Sequence, residues 1–364
     1  MKVLYIAPVP PPINGHSIVS KVLLESISEE HTVDLVNLSK TTSKNINGHV
    51  SFARIREILS KSVIVAKNSR KVDIIYLTIS ESFIGNVKDI LFYILSFNKL
   101  YSFYIHLHGG SIKRLLWDKS RLLYRINKYF ISKLGGVIIS GDSHRSIFED
   151  MLPAERIHIV KNFADDDIFV QTNEIDQKFA NNKPIELLYL SSFHVDKGYD
   201  VLLRAFLTLS REDRSAFRLN FAGKFYDEDR EQKFLENIAP HQEVVYHGMV
   251  EDVEKSSLYR KSHVFILPTM YLEGQPLSIL DAYAAGCFVI TTGLGGIPDI
   301  FRDKVNGYQI SPDSVESMVT ALDFVRKNFS SLKKVASCNF EDANTNYRRD
   351  NYTASIKKII QINH

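Results

Sequence analysis

Short apolar runs alternate with amphipathic stretches along most of this 364-residue chain. The runs are rich in β-branched and aromatic residues, and their apolar positions are mostly continuous, which is typical of parallel strands covered on both faces. We predict strands at 2–8, 32–38, 72–79, 102–108, 136–140, 185–192, 217–223, 243–248, 263–268 and 287–292. Helical patterns intervene, for example at 199–210, 251–261 and 277–285. This alternation predicts an α/β fold with doubly wound parallel sheets.

The length favours two domains of ordinary size. A polar segment, 162–184, is the expected boundary, so we predict a first Rossmann-like domain at 1–165 and a second at 166–346. We also predict a final helix at about 347–362, and one option is that it docks on the first domain. Parallel sheets bind ligands at the carboxyl ends of their strands, and two such domains facing each other would form a cleft.

The bulk composition is that of a soluble globular protein, with 45% hydrophobic and 24% charged residues. Two cysteines, Cys287 and Cys338, make no disulfide framework, so a reducing, cytoplasmic compartment is expected. The longest apolar stretch, 89–97, is roughly half the length of a membrane-spanning helix.

Residues 1–164 carry a net charge of +9, and the remaining 200 residues carry a net charge of −6. The basic first half suggests an anionic partner, although attraction between the two halves is an alternative.

One motif combines two acids with a helix start. In YLEGQPLSILDAYAAGCFVITTGLGGIPDI, Tyr271 to Ile300, a glycine-containing loop follows a predicted strand and Pro276 stands where a helix can begin. The first turn of a helix leaves backbone N–H groups free for anions or hydroxyls. Glu273 lies in the loop and Asp281 on the helix. Taken alone, two acids at this spacing are more often solvated surface residues.

The whole pattern resembles the donor-binding signature of retaining, family-4-type glycosyltransferases, also called glycosyl transferases group 1. The resemblance implies two Rossmann-like domains facing across a cleft, the GT-B type of fold. It also implies that Glu273 lies at the reacting sugar and that Asp281, one methylene shorter than the usual glutamate, holds the nucleotide ribose. The loop that cradles the sugar would consist of Gly274, Gln275, Pro276 and Leu277.

A second motif, SSFHVDKGYDVLLRAF at 191–206, places Lys197 between a strand and a helix. An isolated lysine there is usually a solvated loop residue. Its resemblance to the family's segment implies that Lys197 stabilises the departing diphosphate. Ser192 stands where many members have arginine, so Lys197 acts alone or another cation, such as Lys224 or Arg302, replaces it.

The histidines of IHLHGGS, 105–111, form a third motif. His106 and His108 share a face of the predicted strand, but no third ligand has suitable spacing for zinc. By resemblance His108 faces the donor sugar, whereas we interpret His106 as a core histidine. Gly15, with His16, would line the cleft, although an ordinary turn is an alternative.

By resemblance the backbone at Gly248 and Met249 would contact the base. The acids at 165–167 imitate a metal-binding motif, but their linker setting favours solvated acids. We therefore expect no metal requirement.

The segment 111–134 is amphipathic and basic, with Asp118 as its one acid. Such a helix lies either against the core or on an anionic membrane. An acceptor on a lipid diphosphate would give a membrane-facing surface a purpose, at the inner face of the cell membrane.

The resemblance implies transfer of a sugar from a nucleoside-diphosphate sugar, expected to be a UDP-sugar, to a glycan or lipid-linked saccharide, with retention at the anomeric carbon. It implies no cofactor beyond this donor and a role in surface polysaccharide assembly. No nucleic-acid motif is present. Two alternatives remain: a nucleotide-sugar epimerase of the same architecture, and a non-catalytic sugar-nucleotide-binding subunit.

Overall fold

The structure, a computed structural model, describes residues 1–39, 52–180 and 184–361. Residues 181–183 of the predicted boundary, and Ile362 of the predicted last helix, lie outside these ranges. The strands are β1 (Lys2–Ala7), β2 (Thr32–Asn37), β3 (Ile74–Thr78), β4 (Phe103–Leu107), β5 (Gly136–Ile139), β6 (Ile157–Ile159), β7 (Ile185–Leu190), β8 (Phe217–Ala222), β9 (Val244–Tyr246), β10 (Val264–Leu267), β11 (Phe288–Thr291) and β12 (Gly307–Gln309). The α-helices are α1 (Gly15–Glu30), α2 (Phe52–Asn68), α3 (Phe83–Leu95), α4 (Arg121–Ile131), α5 (Thr172–Ala180), α6 (Tyr199–Thr208), α7 (Arg211–Arg214), α8 (Glu228–Ile238), α9 (Asp252–Lys261), α10 (Leu277–Ala284), α11 (Val315–Lys327), α12 (Phe329–Asn346) and α13 (Arg349–Gln361).

The described strands form two six-stranded parallel sheets. The first has the order β2-β1-β3-β4-β5-β6 and the second the order β12-β11-β10-β7-β8-β9. Central strands such as β3 and β4 are buried along their whole length, which explains their continuous apolar runs. The predicted α/β fold class, with two parallel Rossmann-like sheets, is confirmed.

Contacts within the chain separate it into two compact units. The first comprises Met1–Lys161, Glu273–Gln275 and the residues from Asp350 onward, and the second comprises Asn162–Leu272 and Pro276–Arg349. Helix α13 therefore packs with the first unit, where Lys357 pairs with Glu30 at 2.6 Å. The domain boundary between residues 165 and 166 stays a prediction from the composition of the linker.

Local sequence explains where several helices begin. The Asn14 side chain accepts a hydrogen bond from the Ser17 N–H at 3.0 Å and caps α1. Ser82 caps α3 in the same manner, through the Gly85 N–H. Such caps satisfy N–H groups that have no partner within the helix. They fix the ends of the loops that follow β1 and β3.

The predicted continuous helix over 111–134 is wrong. Residues Lys113–Trp117 form a π-helical turn, and α4 begins at Arg121 because the Ser120 side chain accepts from the Leu123 N–H. Leu122, expected on the apolar face, is 70% exposed. Within 1–39, 52–180 and 184–361, no helix is long and apolar enough to cross a membrane.

Candidate active site

Strands β7 and β10 are neighbours in the second sheet, although β8 and β9 lie between them in the chain. Such a reversal of strand order is a topological switch point, where parallel sheets bind ligands at the carboxyl ends. The segments that leave these ends are residues 191–198 and 268–276. They contain Lys197 and Glu273, two of the predicted catalytic residues.

The turn that carries Lys197 is tied to the segment after β10. Met270 donates its N–H to the Asp196 carbonyl at 2.7 Å. Gly198 has φ +73°, and a Cβ at this position would overlap the Pro268 carbonyl oxygen, so the turn requires glycine. Lys197 Nζ lies 5.5 Å from the centre of the Tyr271 ring. This cation–π contact holds the ammonium group at the carboxyl end of the sheet.

Ser192 lies at the end of β7, and its carbonyl accepts a hydrogen bond from the Tyr189 hydroxyl at 3.2 Å. The neighbouring Phe193 donates its N–H to the Lys224 carbonyl at 3.0 Å. Lys224, with an exposed side chain, is therefore close to Ser192 along the backbone. Of the two cations predicted to replace the arginine, Lys224 has this backbone link to the Ser192 segment, whereas the Arg302 N–H donates to Asn306.

The segment after β9 meets the end of β8 through its backbone. Gly223 donates its N–H to the Gly248 carbonyl at 2.7 Å. Gly248 has φ +68°, and a Cβ there would point into open space. Met249 is 50% exposed. Gly248 and Met249 thus present backbone and side-chain surface beside the Ser192 segment, where the resemblance places the nucleotide base.

Residues 273–275 pack in the first unit against the end of β4. A Cβ on Gly274 would overlap the His108 carbonyl oxygen, and one on Gly110 would lie 2.9 Å from the Glu273 carbonyl oxygen. Gln275 Nε2 donates to the Ser140 carbonyl at 3.0 Å. Glu273 is 7% exposed. The structure therefore brings together the backbone segments of His108 and Glu273, which are 165 positions apart in the sequence.

Helix α10 starts directly after this loop, in the second unit. Its first residue is Leu277, and Pro276 is the capping residue, whose carbonyl accepts from the Ile279 N–H at 3.2 Å. The predicted start of this helix at residue 277 is thus confirmed. The N–H groups of the first turn have no partner within the helix, as expected at any helix start.

Three histidine rings stack in the first unit. The ring centres of His16 and His108 are 4.5 Å apart, and those of His106 and His108 are 3.9 Å apart. Burial lowers the pKa of His16 to about 4 and that of His106 to about 3, and it lowers that of His108 well below its ordinary value. All three are therefore neutral near pH 7. Within the described parts of the chain, their Nε2 atoms are buried without a hydrogen-bond partner. His16 follows Gly15, so the predicted residues Gly15 and His108 lie at the same end of the sheet.

Glu81 is a site residue that the sequence analysis missed. One of its carboxylate oxygens accepts from the backbone N–H groups of Ser111, at 2.6 Å, and Ile112, at 2.9 Å. Its other oxygen lies against Gly109, where a Cβ would overlap it. Burial raises the pKa of Glu81 against the effect of these two N–H groups. An acid two residues after the predicted strand 72–79 was the available signal.

Asp281 is engaged within the second unit. Its Oδ1 accepts from the Asp165 N–H at 2.9 Å, and its Oδ2 lies 2.9 Å from Lys255 Nζ. Burial opposes the charge of Lys255, but Asp281 and Asp165 outweigh this effect and raise its pKa. The acids at 165–167 are also not simply solvated, because Asp165 and Asp166 pair with Arg349 at 3.5 and 3.3 Å. Neither Lys255 nor this network was predicted.

No group of three or more His, Cys, Asp or Glu side chains in the described ranges could hold a metal ion.

In a comparison with known proteins, part of the chain matches the sequence model of a protein family. Residues 170–337 match the sequence model of the family described as glycosyl transferases group 1. An uncharacterized glycosyltransferase of Methanocaldococcus jannaschii is 24% identical over 178 residues, 48% of this chain and 44% of that protein. A lipopolysaccharide 1,2-N-acetylglucosaminetransferase of Salmonella typhimurium is 25% identical over 198 residues, 51% of this chain and 52% of that protein. The chain spans about half the length of these curated relatives.

Solved structures resemble the whole chain. The crystal structure of Anabaena HepE in complex with UDP and glucose superposes with a TM-score of 0.75 at 14% identity, covering 98% of each chain. A sucrose-phosphate synthase from Thermosynechococcus elongatus gives 0.75 at 13% identity, again covering 98% of each. At these identities the likeness establishes the fold, and the predicted GT-B type is confirmed.

Proposed function

We propose that the chain, whose residues 170–337 match the model of the glycosyl transferases group 1, is a member of this family. In this proposal it transfers a sugar from a nucleoside-diphosphate sugar, a UDP-sugar, to a glycan or lipid-linked saccharide. The anomeric configuration is retained, and the product contributes to a surface polysaccharide. No cofactor other than the donor takes part.

The observation that carries this proposal is the packing of residues 273–275 against the end of β4. It places the Gly274 backbone against His108 and the Glu273 backbone against Gly110. The backbones that carry His108 and Glu273, distant in the sequence, thus meet in one small region. We infer that a sugar with several hydroxyl groups is recognised there. The names of relatives support the donor and acceptor classes: HepE was crystallised with UDP-glucose, and the Salmonella relative acts in lipopolysaccharide synthesis by its name.

In the proposed reaction, the bond between the anomeric carbon and the diphosphate oxygen breaks while the acceptor oxygen bonds to the same face of that carbon. UDP leaves with the bonding electrons, and its departing phosphate oxygen takes the proton of the acceptor hydroxyl. Lys197 stabilises the charge that develops on this phosphate, which lowers the barrier. Glu273 positions the sugar and stabilises positive charge at its ring.

The remaining donor contacts follow the same assignment. His108 meets a sugar hydroxyl, and the backbone of Gly274, Gln275, Pro276 and Leu277 cradles the sugar. The diphosphate approaches Gly15 and Ser192, with Lys224 as the second cation. Gly248 and Met249 contact the base, and Asp281 the ribose.

We further propose that the first unit contacts an anionic membrane through 111–134. Helix α4 buries Leu123 and Phe130 in the core, whereas Leu122 is 70% and Tyr129 52% exposed. Arg121, Arg125 and Lys133 are exposed on the same segment, and its one acid, Asp118, is paired with Lys113 at 2.8 Å. Exposed apolar groups among exposed basic groups suit the surface of an anionic bilayer. This location would bring the enzyme to a lipid-linked acceptor.

A thermal-shift screen of UDP, GDP and their common sugar conjugates tests the donor assignment, because a ligand that binds the native state raises its melting temperature. We expect UDP and at least one UDP-sugar to stabilise the protein. Lys197→Ala should abolish this stabilisation, whereas Lys327→Ala, which removes an exposed lysine of α11 paired with Asp323, should not. The assignment would be excluded if the nucleotides stabilised both variants equally, or if no nucleotide stabilised the wild type.

A further inference from the structure

A tyrosine–histidine pair lies directly behind His108 in the core of the first unit. Tyr76 on β3 and His106 on β4 are both fully buried, and the Tyr76 hydroxyl lies 2.6 Å from His106 Nδ1. In the sheet, His106 on β4 is opposite Thr78 on β3, and Thr78 is two residues after Tyr76. Because alternate residues of a strand share a face, Tyr76 is the diagonal neighbour of His106. The register of the sheet therefore fixes this hydrogen bond.

Packing alone does not explain two polar side chains at this position. The side chains next to them along the strands, those of Ile75, Leu77, Ile105 and Leu107, lie on the opposite face of the sheet in the apolar core and do not bond to them. Burying a hydroxyl and an imidazole costs free energy unless they bond to each other, and the bond returns little net stability. A hydrogen bond does, however, fix the rotation of a ring, which apolar contacts define less sharply.

The orientation of His106 is transmitted to His108 by contact. Their ring centres are 3.9 Å apart, with 32° between the ring planes. Tyr76 is itself stacked on Tyr5, with ring centres 4.8 Å apart and planes 2° from parallel. The Tyr352 ring of α13 lies 6.4 Å from His106. Rings packed this closely do not rotate independently of one another.

We propose that Tyr76 and His106 are positioning residues: their hydrogen bond fixes the His106 ring, and the stacked His106 ring fixes the orientation in which His108 meets the donor sugar. The inference rests on the proposed sugar transfer. His106 is therefore more than the core histidine that the sequence suggested, although it touches no substrate. The low pKa values of both histidines agree with this role, because neutral rings stack without repulsion.

The test compares Tyr76→Phe with Tyr5→Phe. Each change removes one buried hydroxyl from the same stacked pair, but the Tyr5 hydroxyl donates to the Ser20 carbonyl at 2.8 Å rather than to a histidine. The first readout is the ¹⁵N spectrum of the histidine rings of the whole protein without ligand. The second is steady-state transfer from the UDP-sugar that the wild type uses. A further variant, His106→Asn, keeps an acceptor for Tyr76 and removes the ring.

We expect Tyr76→Phe to shift the ring nitrogens of both His106 and His108, and Tyr5→Phe to leave them in place. Turnover should fall roughly tenfold in Tyr76→Phe and in His106→Asn, with KM for the donor little changed, because orientation acts on the transition state. Equal turnover in Tyr76→Phe and Tyr5→Phe would overturn the inference, as would unshifted His108 nitrogens. If the wild type itself transfers no sugar, the proposed function fails, and the ¹⁵N spectra still decide whether Tyr76 orients His108.

Discussion

Lys255 Nζ lies 2.9 Å from Asp281 Oδ2, and the Asp281 side chain is only 5% exposed. The other carboxylate oxygen accepts from the Asp165 N–H. The acid that the resemblance assigns to the nucleotide ribose therefore already has a partner on each oxygen. It joins α10 and α9 to the segment that enters the second unit.

Breaking this pair should destabilise the protein. Asp281→Asn leaves the Lys255 charge buried without its main partner, and we expect the free energy of unfolding in urea to fall by about 3 kcal/mol. Lys333→Met provides the control, because it breaks an exposed pair with Asp176 and should cost less than about 1 kcal/mol. Equal losses in the two variants would show that the Lys255–Asp281 pair contributes no more than a surface pair.

The same variant decides whether Asp281 binds ribose. Because the proposed ribose contact uses a charged acceptor, we expect the UDP affinity of Asp281→Asn to weaken by about tenfold or more. Calorimetric titration with UDP, at a temperature where the variant is folded, measures this. A loss of less than about threefold would exclude Asp281 as the ribose contact.

Stability should depend on the buried histidines of the first unit. The pKa values of His16 and His106 are lowered to about 4 and about 3 in the folded protein. Below pH 6.5, the ordinary pKa, the unfolded chain takes up protons that the folded chain refuses. The free energy of unfolding is therefore retained above pH 6.5 and falls toward pH 4, by roughly 1.4 kcal/mol per pH unit for each such histidine.

Urea unfolding of His16→Asn between pH 7 and pH 4.5 checks this slope. The variant should lose less stability on acidification than the wild type. His194→Asn, at an exposed histidine, should keep the wild-type slope. Parallel curves for all three proteins would contradict the buried neutral state of His16.

The sequence predicted the sheets well because their central strands are long and continuously apolar. It missed β6 and β12, whose sequences IHI and GYQ lack a continuous apolar run, whereas β9, also three residues long, has one and was predicted. Site residues that follow predicted strands, such as Lys197 and Glu273, were found through their motifs. Lys255 was not, because its role depends on its distance from Asp281, 26 positions away, which no local pattern specifies. The Tyr76–His106 bond likewise depends on the register of two strands.

Gly274 should be intolerant of substitution. A Cβ there would overlap the backbone carbonyl of His108, which cannot move without displacing β4. We expect Gly274→Ala to lower turnover by about tenfold or more, because small displacements of reacting groups have effects of this size. Gly293→Ala is the matched control, since its Cβ would meet only the flexible side chain of Gln309, at 3.1 Å. Similar turnover in the two variants would remove the requirement for close approach at Gly274.

The membrane proposal predicts binding that depends on lipid charge. The protein should sediment with vesicles containing phosphatidylglycerol more than with pure phosphatidylcholine vesicles. Arg121→Glu combined with Arg125→Glu should weaken this binding roughly thirtyfold or more, at about 1 kcal/mol per basic residue. Arg204→Glu, at an exposed side chain of α6, should bind as the wild type does. Binding that is unchanged by the double substitution would exclude 111–134 as the contact.

The central claim is that this chain moves a sugar from a nucleotide to an acceptor, and incorporation of labelled sugar measures it most directly. UDP-sugars labelled in the sugar are incubated with the protein and with glycan and lipid-linked saccharide acceptors, and the products are separated by size. The account predicts that the wild type forms a larger labelled product and releases one UDP for each sugar transferred. Glu273→Gln should lose both activities, and Glu243→Gln should retain both. Label that stays on the nucleotide, as an epimer or unchanged, with every donor and acceptor would contradict it.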